Sequence, residues 1–441
     1  MRGIIKINFI QSLQAIEELK IQLKKIDMNK KLLIAIITLS VSSLFAQNKD
    51  VGTFQIYDKG ESYYYSTILK DINSVEATKH QSKAYKRFKA DAKGKNYPTK
   101  IDLYTSQWHN PSISQGSTGT CWDFSTTSFY ESEVKRTQNK EVKISEAFTF
   151  YNEYILKAEG YVDSRGTTIF EEGSEGNAVA RVYKRFGAMP WSAYNGLNGQ
   201  KFHSHDKMYA EMNNYLISIK KNNVWNKDLV ISTIKSIMNH YVGTPPERFK
   251  VDGKEYTAKS YLKDYLKINP DDYVEILSYK QAPYYKQCSY DVPDNWWNSE
   301  EYYNIPLDEY MKVIKRAIKE GYTMSIGGDV SEAGFLNSKG EPNVAIIPDF
   351  DIPSSYINED ARQFRFSNKT TTDDHGMHLV GYYEKDGKTW FLIKDSSSGS
   401  RNNDIKAKEF GYYFFSEDYM KLKMMGFTIH KDAVKDILKK F

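Results

Sequence analysis

The stretch SQGSTGTCWDFSTTSFYESEV, from Ser114 to Val134, holds Cys121, one of two cysteines in a chain of 441 residues. A thiol attacks a carbonyl only as its thiolate, so a nucleophilic cysteine needs positive charge beside it. The first turn of a helix supplies part of that through its unpaired N–H groups. Gly116 and Gly119 allow a tight loop just ahead of a helix that opens at or just after Cys121. The reaction also needs an imidazole to pair with the thiolate and later protonate a leaving amine. Two donors must hold the oxyanion; the Cys121 amide is one candidate and Gln115, six residues earlier, is the other. Of eight histidines, His375 and His378 lie at the edge of a strand-rich C-terminal part, and His430 lies near the end. Asp395, closing the strand TWFLIKD that returns from His375, is the nearest acceptor for the second ring nitrogen. The competing reading is bland: a lone cysteine is more often a small buried hydrophobe.

The elements that must position these groups read as follows. A helical pattern runs from Cys121 to about Thr137, with Trp122, Phe124, Phe129 and Val134 as its apolar residues. ISEAFTFYNEYILKAEG predicts a second helix, with Ser145 as N-cap and Gly160 as stop, and EEGSEGNAVARVYKRFGAMP a third, ended by Gly187 and Pro190. The middle mixes helices such as NKDLVISTIKSIMNHYV and PLDEYMKVIKRAIKEG with loops, and YTMSIGGDV reads as a short buried strand. From about 366 the period changes. MHLVGYYEKDGKTWFLIKDS is two apolar runs around Asp386-Gly387, a hairpin signal, and FGYYFFS and MMGFTIH are further strands. Helices first and strands last, without βαβ alternation, predict an α+β fold. The expected division is 101–190 as a helical lobe, 191–365 as a helical insert and 366–441 as a β-lobe; 47–100, polar and lysine-rich, reads as an N-terminal arm or pro-segment.

Composition narrows the classes. A net charge of +5 on scattered lysines, with no basic stripe, excludes a nucleic-acid partner. MNKKLLIAIITLSVSSLFAQ, from Met28, runs from basic to apolar to small residues and predicts a signal peptide over 28–46 cleaved near Ala46, giving an exported protein with no membrane span. Residues 1–27 then read as an upstream start-codon extension. Two cysteines exclude a disulfide scaffold or a four-cysteine zinc site, and a working Cys121 leaves Cys288 unpaired and packed away.

The motifs resemble a known family. QGSTGTCWDFS is similar to the active-site signature of the papain-like cysteine peptidases (family C1), HGMHLVGY to their histidine strand and WFLIKDSSSG to the strand of their third catalytic residue. His375 stands six residues before Gly381-Tyr382, as that family requires, and His378 does not. ISEAFTFYNEYI, YKRFGAMP, YVGTPPERF and IKEGYTMSIGGDVSE resemble the bleomycin hydrolase/aminopeptidase C branch in the same order, so that the resemblance spans roughly 100–437. It implies a two-lobed papain-like fold whose cleft binds an extended peptide or protein substrate, with Cys121 as nucleophile and His375 as acid/base. Gln115 becomes the oxyanion-hole side chain and Asp395 orients the imidazole. No cofactor or metal is implied; a homo-oligomer is the assembly known in the branch.

The chain departs from the family in three places. Asp395-Ser396-Ser397 replaces the usual Asn-Ser-Trp, so Asp395 is expected to be competent but more exposed, without the tryptophan that shields it in relatives. Asp123, two residues from Cys121, is expected to oppose the thiolate in part. The end HKDAVKDILKKF stops soon after the point where relatives continue into a C-terminal arm that holds a substrate's amino group, and endo- and aminopeptidase action both stay open. A weakened, peptide-binding papain-like protein is the alternative, a transglutaminase-like acyl transferase the last. DDHGMH invites a metal reading through Asp373, Asp374, His375 and His378, but ligands at that spacing belong on a helix and these sit in a strand context. His378 is expected to face away from the cleft or line its rim.

Overall fold

The computed structural model describes residues 17–18, 20, 52–58, 84–337, 343–401 and 405–441. The chain divides into Met1–Asp50, of which residues 17–18 and 20 are helical, and the unit Val51–Phe441. The signal peptide expected at 28–46 lies outside the described residues.

Helix α1 (Cys121–Gln138) is buried on every side from Cys121 to Val134, which is why its sequence carries so little amphipathic contrast. One flank enters a helical core. There Trp122, Phe129 and Tyr130 pack with residues of α2 (Glu146–Asp163), α3 (Gly176–Phe186), α4 (Asp206–Asn222) and α5 (Lys227–Val242), such as Tyr154, Val179, Met208 and Ile234. Ser145 caps α2 as expected, accepting from the Phe148 amide at 3.0 Å. Gly160 does not stop it. The helix runs on to Asp163, and the glycine is there because a Cβ would come within 2.5 Å of the Trp296 ring.

The other flank of α1 lies on a sheet of eleven strands among the described residues. Its main strands are β3 (Tyr273–Leu277), β4 (Met324–Gly328), β5 (His375–Lys385), β6 (Lys388–Lys394), β7 (Tyr412–Ser416) and β8 (Met424–His430). A separate pair, β1 (Gly52–Asp58) and β2 (Ala84–Ala90), precedes them. Across the sheet the order is β7-β6-β5-β4-β8-β3, extended by Val344–Ala345 and Phe335–Leu336 beyond β7, and by Tyr302–Asn304 and Lys286–Cys288 beyond β3. The hairpin predicted at Asp386-Gly387 joins β5 to β6, and YTMSIGGDV contains β4. A second core under this sheet gathers Ile326, Met377, Leu379, Phe391 and Phe427 against Ile314 and Ile318 of α6 (Leu307–Lys319). Burying each such side chain is worth roughly 1.5–3 kcal/mol. Segment 191–365 is therefore more than helical material: β3, β4 and the four short strands at the sheet's ends come from it.

The described part of the polar arm lies along the sheet lobe. Ala90 donates its amide to Ala333 O at 2.9 Å, Lys89 Nζ donates to Phe335 O at 3.0 Å, and Tyr97 packs on Trp390.

Candidate active site

The loop before α1 is clamped from a distant segment. Ser117 donates its amide to His203 O at 2.8 Å and His205 donates its amide to Ser117 O at 3.1 Å. Gly116 sits at φ 72°, and a Cβ there would lie 2.1 Å from the His203 carbonyl oxygen, so only glycine fits. The Gly119 amide donates to Glu172 Oε2 at 2.7 Å, and Trp122 Nε1 to Glu172 O at 3.2 Å. Cys121 is thereby set as the first residue of α1, with its amide among those that have no partner inside the helix.

Facing it is the first residue of β5, His375, paired in register with Gly328 of β4. Its neighbour Gly376 lets strand and helix touch, since a Cβ would stand 2.9 Å from Ser125 Oγ and 3.1 Å from Trp122 Cα. His375 Nε2 donates to Asp395 Oδ1 at 2.6 Å, both side chains wholly buried. Its Nδ1 makes no hydrogen bond of ordinary geometry, and after Asp395 the Cys121 thiol is the next group that acts on the ring. Burial works against the imidazolium, yet the Asp395 charge and hydrogen bond, followed by Cys121, raise the His375 pKa well above its ordinary value. Burial likewise opposes ionisation of Asp395, and its charge pairing with His375 and its hydrogen bonds to His375, Ser397 and Ser400 lower its pKa.

Asp395 is not more exposed than in a shielded site; it is 2% exposed. Ser397 explains much of the difference. Ser397 brings both its amide, at 3.0 Å, and its hydroxyl to Asp395 Oδ2. Arg401 closes the turn by donating to Ser397 O and Ser112 Oγ, each at 2.8 Å. A polar lid takes the place of the tryptophan that this chain lacks. Asp123 is wholly buried, and burial, then Glu146, raises its pKa well above its ordinary value, which weakens its opposition to a thiolate; Thr127 donates to its Oδ1 at 2.7 Å.

Gln115 is buried at the junction of the two motifs: its amide donates to Ser396 O at 3.0 Å, its Oε1 accepts from Ser396 Oγ and its Nε2 donates to Thr118 O, both at 2.8 Å. His378 points into the back of α1, where its Nδ1 pairs with Ser128 Oγ at 2.8 Å, and Lys394 Nζ donates to the same hydroxyl at 2.7 Å. Burial, then Lys394 and His109, hold His378 neutral. Asp374 turns instead to the Val330 amide, at 2.9 Å. Among the described residues no three His, Cys, Asp or Glu are grouped as metal ligands. Both cysteines are free thiols; Cys288 is half-buried, and burial pushes its pKa up to about 11.

Two hollows open beside Cys121. One is an open cleft of about 500 Å³ walled by Gly119, Glu172, Tyr209 and Asp294. The other is a tighter cavity of about 50 Å³ that runs under Trp122 and His375. Sequence reading missed their acidic walls, the clamp at His203–His205 and Glu172. Of these, Asp373 and Asp374 stood in the DDHGMH run and Glu172 and Glu175 in the EEGSEG run, both segments already singled out, but nothing in the sequence tied the two runs together.

A helical lobe and a sheet lobe meeting at one buried helix, with a cysteine at its start and a carboxylate-paired imidazole opposite, are the fold and site of a papain-like cysteine peptidase. Residues 200–441 match the model of the Peptidase C1-like family, a stretch that contains His375 and Asp395, and the chain belongs to that family. It is similar to "Aminopeptidase C" of Streptococcus thermophilus, 22% identical over 75% of this chain and 82% of the relative, and of Listeria monocytogenes, 20% identical over 74% and 82%. The fold is also that of the crystal structure of PepW from Lactobacillus rhamnosis HN001, with a TM-score of 0.59 and 17% identity over 78% of this chain and 85% of that one. The protein falls in the aminopeptidase C/bleomycin hydrolase branch of the papain-like peptidases.

Proposed function

We propose that this protein is an exported peptidase that cleaves peptide bonds through a Cys121 thiolate and a His375 imidazolium. The observation that carries the reading is the buried 2.6 Å contact between His375 Nε2 and Asp395, which leaves the other ring nitrogen to the thiol at the start of α1. The thiolate attacks the scissile carbonyl, and the oxyanion is held by the Cys121 amide and Gln115 Nε2. With one Nε2 hydrogen on Thr118 O, that role requires Gln115 to turn its second one to the oxyanion. His375 then gives its proton to the leaving amine, and an acyl-enzyme thioester remains. Water, deprotonated by His375, attacks the thioester, and the thiolate is restored as the acid departs. Asp395 keeps the ring oriented throughout and stabilises it in each step where it carries the proton.

The experiment is labelling with a thiol-directed epoxide followed by peptide mapping, with turnover of a peptide library alongside. Cys121 is expected to react much faster than Cys288, and Cys121→Ala to lose turnover entirely. Equal labelling of the two thiols sinks the reading. N-blocked against free peptides separate endo- from aminopeptidase action, and cell fractionation tests the export that the Met28–Gln47 segment suggests.

A further inference from the structure

The cavity beneath Trp122 and His375 is walled by five carboxyls, Glu175, Glu275, Asp294, Asp373 and Asp374, and by no lysine or arginine. Two of them accept hydrogen bonds, Glu275 from Thr428 Oγ1 at 2.7 and 3.0 Å and Asp374 from the Val330 amide, while Asp294 feels the charge of Lys157. Lys157 does not enter the cavity, since its Nζ is spent on the carbonyls of Glu171 and Gly173. Glu175 is different. It is 8% exposed, and no N–H or O–H donor reaches its Oε1. The group it faces is the carboxyl of Asp373, and two such groups can meet only by holding a proton between them. Across the same cavity Tyr290, 3% exposed, leaves its hydroxyl unpartnered.

We propose that this cavity takes the positively charged side chain of a substrate residue, a lysine or an arginine, with Glu175 and Asp373 as the carboxylates that hold it. The inference rests on the peptidase reading above and adds the class of substrate. A cation replaces the shared proton: both carboxyls ionise around it, and the incoming group gains charge-assisted hydrogen bonds. Burial favours the shared proton, raising the Asp373 pKa to about 7 and that of Glu175 well above its usual range, and an incoming cation works against that burial.

The shape of the cavity favours a side chain over a terminal amine. Its wall crosses from His375 of β5 through Gly327 of β4, Thr428 of β8 and Glu275 of β3 to Tyr302. Neighbouring strands stand ~4.8 Å apart, so the wall extends well beyond the reach of an amino group on the residue whose carbonyl meets Cys121. A methylene stem can lie along Trp122, Tyr290 and Tyr302 and keep its charged end at the carboxyls. Room of about 50 Å³ exceeds the ~10–15 Å³ that a cavity needs to hold one water and falls below a benzene-binding cavity of ~150 Å³, which suits a small charged head group.

The test uses fluorogenic peptides with arginine, lysine, citrulline or norleucine at each of the two positions before the scissile bond, N-blocked and free. The expected result is a kcat/KM for arginine or lysine about tenfold or more above the neutral isosteres at one of these positions, with the N-terminus blocked. Glu175→Gln and Asp373→Asn should each collapse that ratio, which is read within one sample so that any unfolded fraction cancels. A ratio near one in the natural protein, a ratio unchanged in both variants, or a preference for a free amine whatever the side chain overturns the proposal. Calorimetric binding of the arginine and citrulline peptides to Cys121→Ala separates the two readings. Selective binding without turnover in the natural protein sinks the peptidase reading alone, and turnover without selectivity sinks this one alone.

Discussion

Asp395 is a carboxylate where the signature its segment resembles has an asparagine, and the difference has a direct electrostatic consequence. An asparagine can accept the same hydrogen bond from His375 Nε2 but brings no charge. At this site the Asp395 charge is the first of the influences that overcome burial and raise the His375 pKa. Asp395→Asn removes it and leaves burial in place, so the imidazolium must lose its proton at lower pH. The alkaline limb of kcat/KM is therefore expected to move down by about 1–3 pH units, the size of effect an adjacent opposite charge has. Activity near pH 6 should survive better than activity near pH 8. An unmoved limb would mean that the imidazolium is held by the thiolate alone. Ser397→Ala, which takes one donor from Asp395 Oδ2, should shift the limb less and in the opposite direction, because a carboxylate with fewer donors binds the imidazolium proton more strongly.

At the scale of elements, the distance between thiol and imidazole is set by how closely α1 and β5 approach. Gly376 decides that approach, and behind it the Ser128–His378–Lys394 hydrogen bonds tie the helix to β5 and β6. Gly376→Ala puts a methyl against Trp122 Cα and N, backbone atoms that cannot swing away. The strand must back off, carrying His375 with it. Because displacement of about 1 Å can cost ~100-fold in rate, kcat is expected to fall by about 10–100-fold, with a smaller effect on peptide binding to a Cys121→Ala background. A kcat within twofold of the natural protein would show that the helix–strand contact does not set the reaction geometry. Part of this arrangement was legible in the sequence. Trp122, Phe129 and Val134 marked the helix, Asp386-Gly387 marked the hairpin, and offsets of six residues from Cys121 and from Gly381 picked Gln115 and His375. What was not legible has physical causes. Ser125, Thr126 and Ser128 are polar yet fully inside, because α1 is enclosed by two lobes and satisfies them with Ser325 and His378. Strands of two residues such as Thr105–Ser106 and Val344–Ala345 have no period to read. The burial of Asp395 depends on Ser112 and Arg401, which no local pattern links to it.

Over the whole molecule, the acidic cavity has a cost that pH should reveal. Burial raises both Glu275 and Asp373 to about 7, while in an unfolded chain such groups titrate near 4. Between those values the folded state holds protons that the unfolded state has released, so stability falls as pH rises, by about 1.4 kcal/mol per unit for each group. For Glu275 the whole interval amounts to roughly 3 kcal/mol. His375 acts in the same direction at higher pH: its raised pKa gives stability that is complete below about 6.5 and is lost as pH climbs through the folded value. Asp395 acts outside this window, since its lowered pKa gives stability lost only on acidification below the usual carboxylate range. The expected outcome is a melting temperature several degrees higher at pH 5 than at pH 8, with Glu275→Gln flattening the profile. The lysine or arginine peptide proposed for the cavity should restore stability at pH 8, because the bound cation offsets the cost of ionising the carboxyls it pairs with, while its citrulline counterpart should not. A melting temperature that rises from pH 5 to pH 8 would mean that these carboxyls reach solvent, and that the cavity is open water rather than a built pocket.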